Sequence, residues 1–251
     1  MSWLAVWLIG LGTADLVRAG QRTRRWALPS GVVSVVGLAL LAGLTAPIDL
    51  VVLAAALVPL ALWIRYSTQA LAYGSGHWAA LTSLLVACAG LVLLSGWASP
   101  AGGVLQQWLG WADPPLVGDV APGRLLLVVG LLLVNLVTAN LLVRLVLLSV
   151  GALRPALPPD PSTQASDELK GGRLLGPMER VLILGLGLAG QLTAAGLVIA
   201  AKGLIRFPEL QAKRDDRTSI DGVGIDAVTE YFLVGSFVSW LLALGSLAFT
   251  R

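Results

Sequence analysis

KGGRLLGPMERVLILGLGLAGQLTAAGLVIAAKGLIRF, residues Lys170 to Phe207, carries charge at both ends and almost none between. Glu179 and Arg180 open its apolar part, and Lys202 and Arg206 close it. Val181–Ala201 is 21 residues long. A helix of that length, rising 1.5 Å per residue, crosses roughly 30 Å of hydrocarbon. The same design recurs along the chain. The sequence therefore predicts an all-α, polytopic transmembrane helical bundle of about seven spans.

Two faces can be drawn on this predicted helix. Gly185, Ala189, Thr193, Gly196, Ala200 and Gly203 recur at spacings of three and four. They form a small-residue face suited to close helix contact, because helix association in lipid is driven by packing. Gln191, Lys202 and Arg206 fall on the other side, where polar groups in lipid need partners or water. Gly185, Gly187 and Gly190 have the spacing of a dinucleotide-binding turn. That motif needs a strand before it and an acidic residue after a second strand. Here an apolar run continues through it to a lysine, so the nucleotide reading is set aside.

Hydrophobic residues make up 57% of the chain and charged ones 12%, about half the usual charged share. Mean hydropathy is +0.84. So few charges do not cover a soluble core of this size. The net charge of +3 reports orientation and anionic-lipid contact in such a chain, and nucleic-acid binding is not expected. The one cysteine, Cys88, and the one histidine, His77, exclude an intrachain disulfide, a cysteine metal cluster and a bis-histidine haem. No catalytic set, cofactor or metal site is expected. Arg outnumbers Lys, and Ala, Leu, Gly and Val dominate. This is the composition of a high-GC bacterium, so the expected location is the bacterial inner (cytoplasmic) membrane.

Segment one, Ser2–Val17, is anchored by Trp3 and Trp7. Its basic residues follow the apolar run, unlike those of a cleavable signal. Asp15 and Arg18 lie three apart and can pair on one helix face. Arg18, Arg22, Arg24 and Arg25 form the densest basic cluster, which puts this loop in the cytoplasm and the N-terminus outside. Segments two (Pro29–Leu44) and three (Leu50–Ile64, with Pro59 a kink) fit either two spans or a re-entrant hairpin. Segment four is Trp78–Leu94. The loop 95–123 has no Lys or Arg and belongs outside. Within it, GGVLQQWLGW predicts a short interfacial helix with Val104, Leu105, Trp108 and Leu109 on one face.

Segment five, Arg124–Val150, holds Asn135, Thr138, Asn140 and Arg144. Asn140 and Arg144 share one face and Asn135 and Thr138 another. Segment seven is Tyr231–Phe249. The organisation expected is a five-helix region over 1–150, a Pro-rich cytoplasmic loop over 151–178 and a two-helix transmembrane unit over 179–251. Seven spans put the C-terminus in the cytoplasm. They also put the connector Pro208–Thr229, with Lys213, Arg214 and Arg217, outside, against the positive-inside rule.

GRLLGPMERVLIL (Gly172–Leu184), GQLTAAGLVIAAKGLIRFPEL (Gly190–Leu210) and TEYFLVGSFVSWLLAL (Thr229–Leu244) together resemble the C-terminal part of a bacterial membrane-protein family known as a domain of unknown function. The resemblance covers about a third of the chain. Gly203 stands where the family usually has Ser, and the connector after Glu209 is longer. The resemblance implies that the last two helices pack as a unit and implies no activity. If those helices are antiparallel, Lys202 and Glu230 reach one depth, so an ion pair is expected there, with Arg206 and Tyr231 nearby. The function expected is a non-catalytic scaffold, assembly factor or accessory subunit, embedded in the lipid bilayer and joined to other membrane polypeptides or to copies of itself. A small-solute or ion transporter or channel is the alternative.

Overall fold

The computed structural model describes residues 1–20, 23–115, 118–156, 172–215 and 225–250, and these are helices joined by turns. In chain order they are α1 (Ser2–Ala19), α2 (Ala27–Leu41), α3 (Pro47–Tyr73), α4 (His77–Leu93), α5 (Gly103–Ala112), α6 (Pro122–Leu133), α7 (Ala139–Ser149), α8 (Gly172–Leu188), α9 (Leu192–Asp215) and α10 (Ile225–Ala248). A π-helical turn, Val134–Thr138, joins α6 to α7. Among the described residues five helical stretches are long and apolar enough to cross a membrane: Arg24–Leu41, Pro47–Tyr73, His77–Trp97, Pro122–Ser149 and Glu230–Ala248. Val33, Leu85, Val86 and Leu93 on these helices are exposed. Apolar surface of this kind suits lipid contact.

The chain divides into two compact units, residues 1–67 with 78–138, and residues 68–77 with 139–249. The first is organised around α1. From Ser2 to Gly12 every residue of this helix is buried, and so are Ala14 and Asp15. A helix apolar all round belongs in the interior. Its neighbours α2 and α6 come close at glycines. A Cβ on Gly10 would stand 2.4 Å from Val35 Cγ2 and 3.0 Å from the Gly31 carbonyl oxygen, and one on Gly12 would stand 2.6 Å from Leu133 Cβ. A Cβ on Gly130 would meet the Ala5 carbonyl oxygen at 3.1 Å. α2 buries Ala27, Gly31, Val35 and Ala39. That stripe of every fourth residue is enough to seat it on α1. α5 packs against the end of α2, where Gly102 N–H donates to the Ala42 carbonyl. Leu109 is its inward residue, while Val104, Trp108 and Trp111 are exposed.

α3 runs past the expected end at Ile64 to Tyr73. Gln69–Tyr73 contains no helix breaker, and the stop comes at Gly74, whose φ is +74°.

In the second unit α8 packs on α7, α9 and α10. The single 21-residue span expected over Val181–Ala201 is in fact two helices. Gly190 has φ +76°, its N–H donates to the Gly187 carbonyl, and the Gln191 N–H donates to the Leu186 carbonyl at 2.8 Å. This pair of bonds after a left-handed glycine is a Schellman stop. The Gln191 carbonyl then accepts the Ala195 N–H and starts α9. The two helices fold back on each other, with Ile183 and Ala195 in one buried cluster together with Ala243 of α10.

The predicted helix-contact residues are divided between α8, the turn after it and α9. Gly185, Ala189, Thr193, Gly196, Ala200 and Gly203 are exposed. A Cβ on Gly185, Gly196 or Gly203 would meet nothing within 4 Å. The hairpin turns these positions away from its own seam.

Candidate functional site

The first unit holds a buried charged cluster at the C-terminal end of α1. Asp15 is 1% exposed. Its Oδ1 accepts from Arg18 Nη2 at 2.6 Å. Its Oδ2 accepts from the Thr138 hydroxyl at 2.7 Å. The Trp63 indole N–H is shared between both oxygens at 3.2 and 3.1 Å. Arg18 uses its other nitrogen on α3, donating to Ser67 Oγ at 2.6 Å and to the Ile64 carbonyl at 3.2 Å. The Ser67 hydroxyl in turn donates to the Trp63 carbonyl. Opposite charges and neutral donors thus close on one another around α1, α3 and the π-turn. In lipid this arrangement is needed, since an ionised group without partners is costly there.

The π-turn explains how Thr138 reaches Asp15. An extra residue in the turn rotates the helix after it. Asn135 and Thr138 both become buried, and Asn135 Nδ2 donates to the Leu131 carbonyl at 2.8 Å.

Two more contacts run up α1 toward its start. Trp7 Nε1 donates to the Ala56 carbonyl at 2.8 Å. Pro59, inside α3, has no N–H for the Ala55 carbonyl four residues back, the neighbour of the carbonyl that Trp7 uses. Trp3 Nε1 donates to Asp49 Oδ1 at 2.6 Å, and the Ser99 N–H reaches the same oxygen at 3.2 Å. Trp3, Trp7, Asp15 and Arg18 therefore meet Asp49, Ala56, Trp63 and Ser67 in the same order. The two helices are parallel and level, so α1 is as deep in the fold as the span Pro47–Tyr73.

The second unit has its own polar cluster. Arg180 is 1% exposed. It donates to Asn140 Oδ1 at 2.5 Å and to the Ser239 hydroxyl at 2.9 Å. Glu179 accepts Lys202 Nζ at 2.6 Å and Trp240 Nε1 at 2.9 Å, and Lys202 also lies 5.8 Å from the centre of the Trp240 ring.

The expected pairings thus come out in part. Asp15 and Arg18 meet. Lys202 meets Glu179, 23 positions earlier, instead of Glu230. The reason is the hairpin, which brings the start of α8 beside α9. Asn140 accepts from Arg180, and Arg144 is exposed. Gln191 is exposed at the hairpin turn, Glu230 is exposed and Tyr231 is half-buried. The side chain of Arg206 lies outside the described residues. Trp63, Ser67, Glu179, Arg180, Ser239 and Trp240 are the cluster members that spacing did not nominate, since their partners are distant in sequence. A buried arginine opening an apolar run was the one available signal. No family model, curated protein or solved structure matches the chain.

Proposed function

We propose that the chain is a non-catalytic component of a membrane assembly: a scaffold, assembly factor or accessory subunit of the bacterial inner membrane. One observation supports this above the others. The small residues of α8 and α9 that suit close helix contact, Gly185, Gly196 and Gly203 among them, are exposed and have open space before them. Such positions are enriched where helices of membrane proteins meet, and a second polypeptide would fit them. The polar clusters are consistent with this role, because Asp15 and Arg180 are held by several side chains each. In this reading the start of α1 is outside. The segment expected as the sixth span is a helical hairpin, and α1, expected as the first span, lies level with α3. The resemblance of the C-terminal third to a family of unknown function adds no activity to this reading.

Native mass spectrometry of the protein extracted in mild detergent from its own membrane is the test. The expected result is a stoichiometric complex that Gly196→Leu and Gly203→Leu disrupt without unfolding the chain. A monomer that those substitutions leave unchanged would overturn the reading.

A transporter or channel for an ion or small solute is the second reading. It draws on Asp15, an acid at the centre of the first unit, bonded to a residue of a π-turn, a distortion frequent at functional sites. Loss of a transport activity in Asp15→Asn, with the fold intact, would favour it.

A further inference from the structure

The direction of α10 can be found without assuming how deep each helix lies. Three relationships within the second unit give it. Asn140 of α7 is level with Arg180 and Ser239, because Arg180 bonds both. Further along α7, Val143 and Leu147 stand beside Gly235, each 3.7 Å from where its Cβ would be. As α7 advances from 140 to 147, its neighbours on α10 therefore recede from 239 to 235, and α7 and α10 are antiparallel. Along α8, Arg180 is beside Ser239 and Gly187 is beside Leu247, so α8 and α10 are parallel. Between them α9 turns back, bringing Lys202 level with Glu179.

A hairpin returns the chain to the face from which it came, whether it crosses the bilayer or dips into it. α7 closes the span Pro122–Ser149, which runs from the cation-free 98–121 loop to the side of Arg154. Being antiparallel to α7, α10 runs the other way. We infer that the C-terminal end of α9 lies on the same side of the membrane as residues 151–156, and that the end of α10 lies on the opposite side, where the span Pro122–Ser149 begins. A cytoplasmic end for α10, which the seven-span count requires, would make α7 and α10 parallel.

Charge gives an independent check. With the hairpin, Lys213 and Arg214 at the end of α9 join Arg154 and Arg173 on one side of the membrane. The positive-inside rule asks for this, and the single-span threading violated it. The inference rests on membrane embedding alone, not on the scaffold role, so it stands or falls separately from that reading.

The test is the full chain fused after Arg251 to alkaline phosphatase, active only outside the cytoplasm, or to green fluorescent protein, fluorescent only inside. An active phosphatase and a dark fluorescent fusion are expected. The reverse, or equal signals from both, would overturn the inference. A second measurement needs no fusion. In a Cys88→Ala background, single cysteines at Ser99, Ser75, Lys213 and Phe249 are labelled with a membrane-impermeant maleimide before and after permeabilisation. Phe249→Cys should follow Ser99→Cys, and Lys213→Cys should follow Ser75→Cys. The crossed pattern would overturn the inference.

Discussion

Thr138 donates its hydroxyl to Asp15 at 2.7 Å across 123 positions of sequence. The bond ties the π-turn to the central helix, and Trp63 adds α3 to the same carboxylate. Three segments that hydropathy treats as separate spans are thereby fixed at one point.

Asp15→Ala leaves Arg18 buried beside an empty position. Removing one partner of a buried pair costs about 3–5 kcal/mol. The expected outcome is a clearly lower unfolding temperature in detergent, followed by fluorescence-detected size exclusion. The double variant Asp15→Ala/Arg18→Ala should recover part of the loss. A double variant as unstable as the sum of the singles would show that the charges do not act on each other.

Thr138→Val removes one donor from Asp15 with little change of volume and should cost about 1–3 kcal/mol. Trp63→Phe removes another donor and also leaves a cavity in place of the larger indole, which adds to its cost. The pair should be non-additive, because both act on one carboxylate. A double-mutant cycle on thermal stability checks this, and strict additivity would count against a shared site.

Glycines should sort by their surroundings. Gly10→Ala and Gly12→Ala place a Cβ against Val35 and against Leu133, and overpacking of this kind costs about 1–3 kcal/mol. Gly37→Ala and Gly90→Ala meet nothing within 4 Å and should be neutral or slightly stabilising. Equal effects in the two groups would mean that α1 is less tightly held than its contacts indicate.

Reversing Lys202 to Glu should destabilise the hairpin, and Glu179→Lys in the same chain should restore it. Glu230→Lys should give no rescue, since Lys202 is paired with Glu179. Rescue by Glu230→Lys alone would refute the pairing. Gly190→Ala tests the turn itself: a left-handed φ of +76° costs a residue with a side chain about 1–2 kcal/mol.

Much of the first unit was legible. α1, α2, α4 and the span Pro122–Ser149 lie near their expected limits because apolar runs there end at Gly, Pro or charge. Asp15–Arg18 was legible too, being a local pair three residues apart. The rest of that site was not, because Trp63 and Thr138 arrive through tertiary packing and a π-turn that leaves no mark on hydropathy. In the second unit, Val181–Ala201 matched a span in length, and one glycine outweighed that match. Hydropathy averages over Ala189–Gly190–Gln191, whereas the backbone turns there. Once the turn is in place, Lys202 follows Glu179 rather than Glu230.

The central position of α1 also bears on how the protein is made. This helix leaves the ribosome before every helix that covers it. At 5–20 residues per second, Thr138 follows Asp15 by roughly 6–25 s. For roughly the first 2–10 s of that interval, until Trp63 is made 48 residues later, Arg18, only three residues away, is the one of these partners of Asp15 already synthesised. The local ion pair is thus the chaperone of its own helix, masking a charge until the tryptophan and the threonine arrive to take their share.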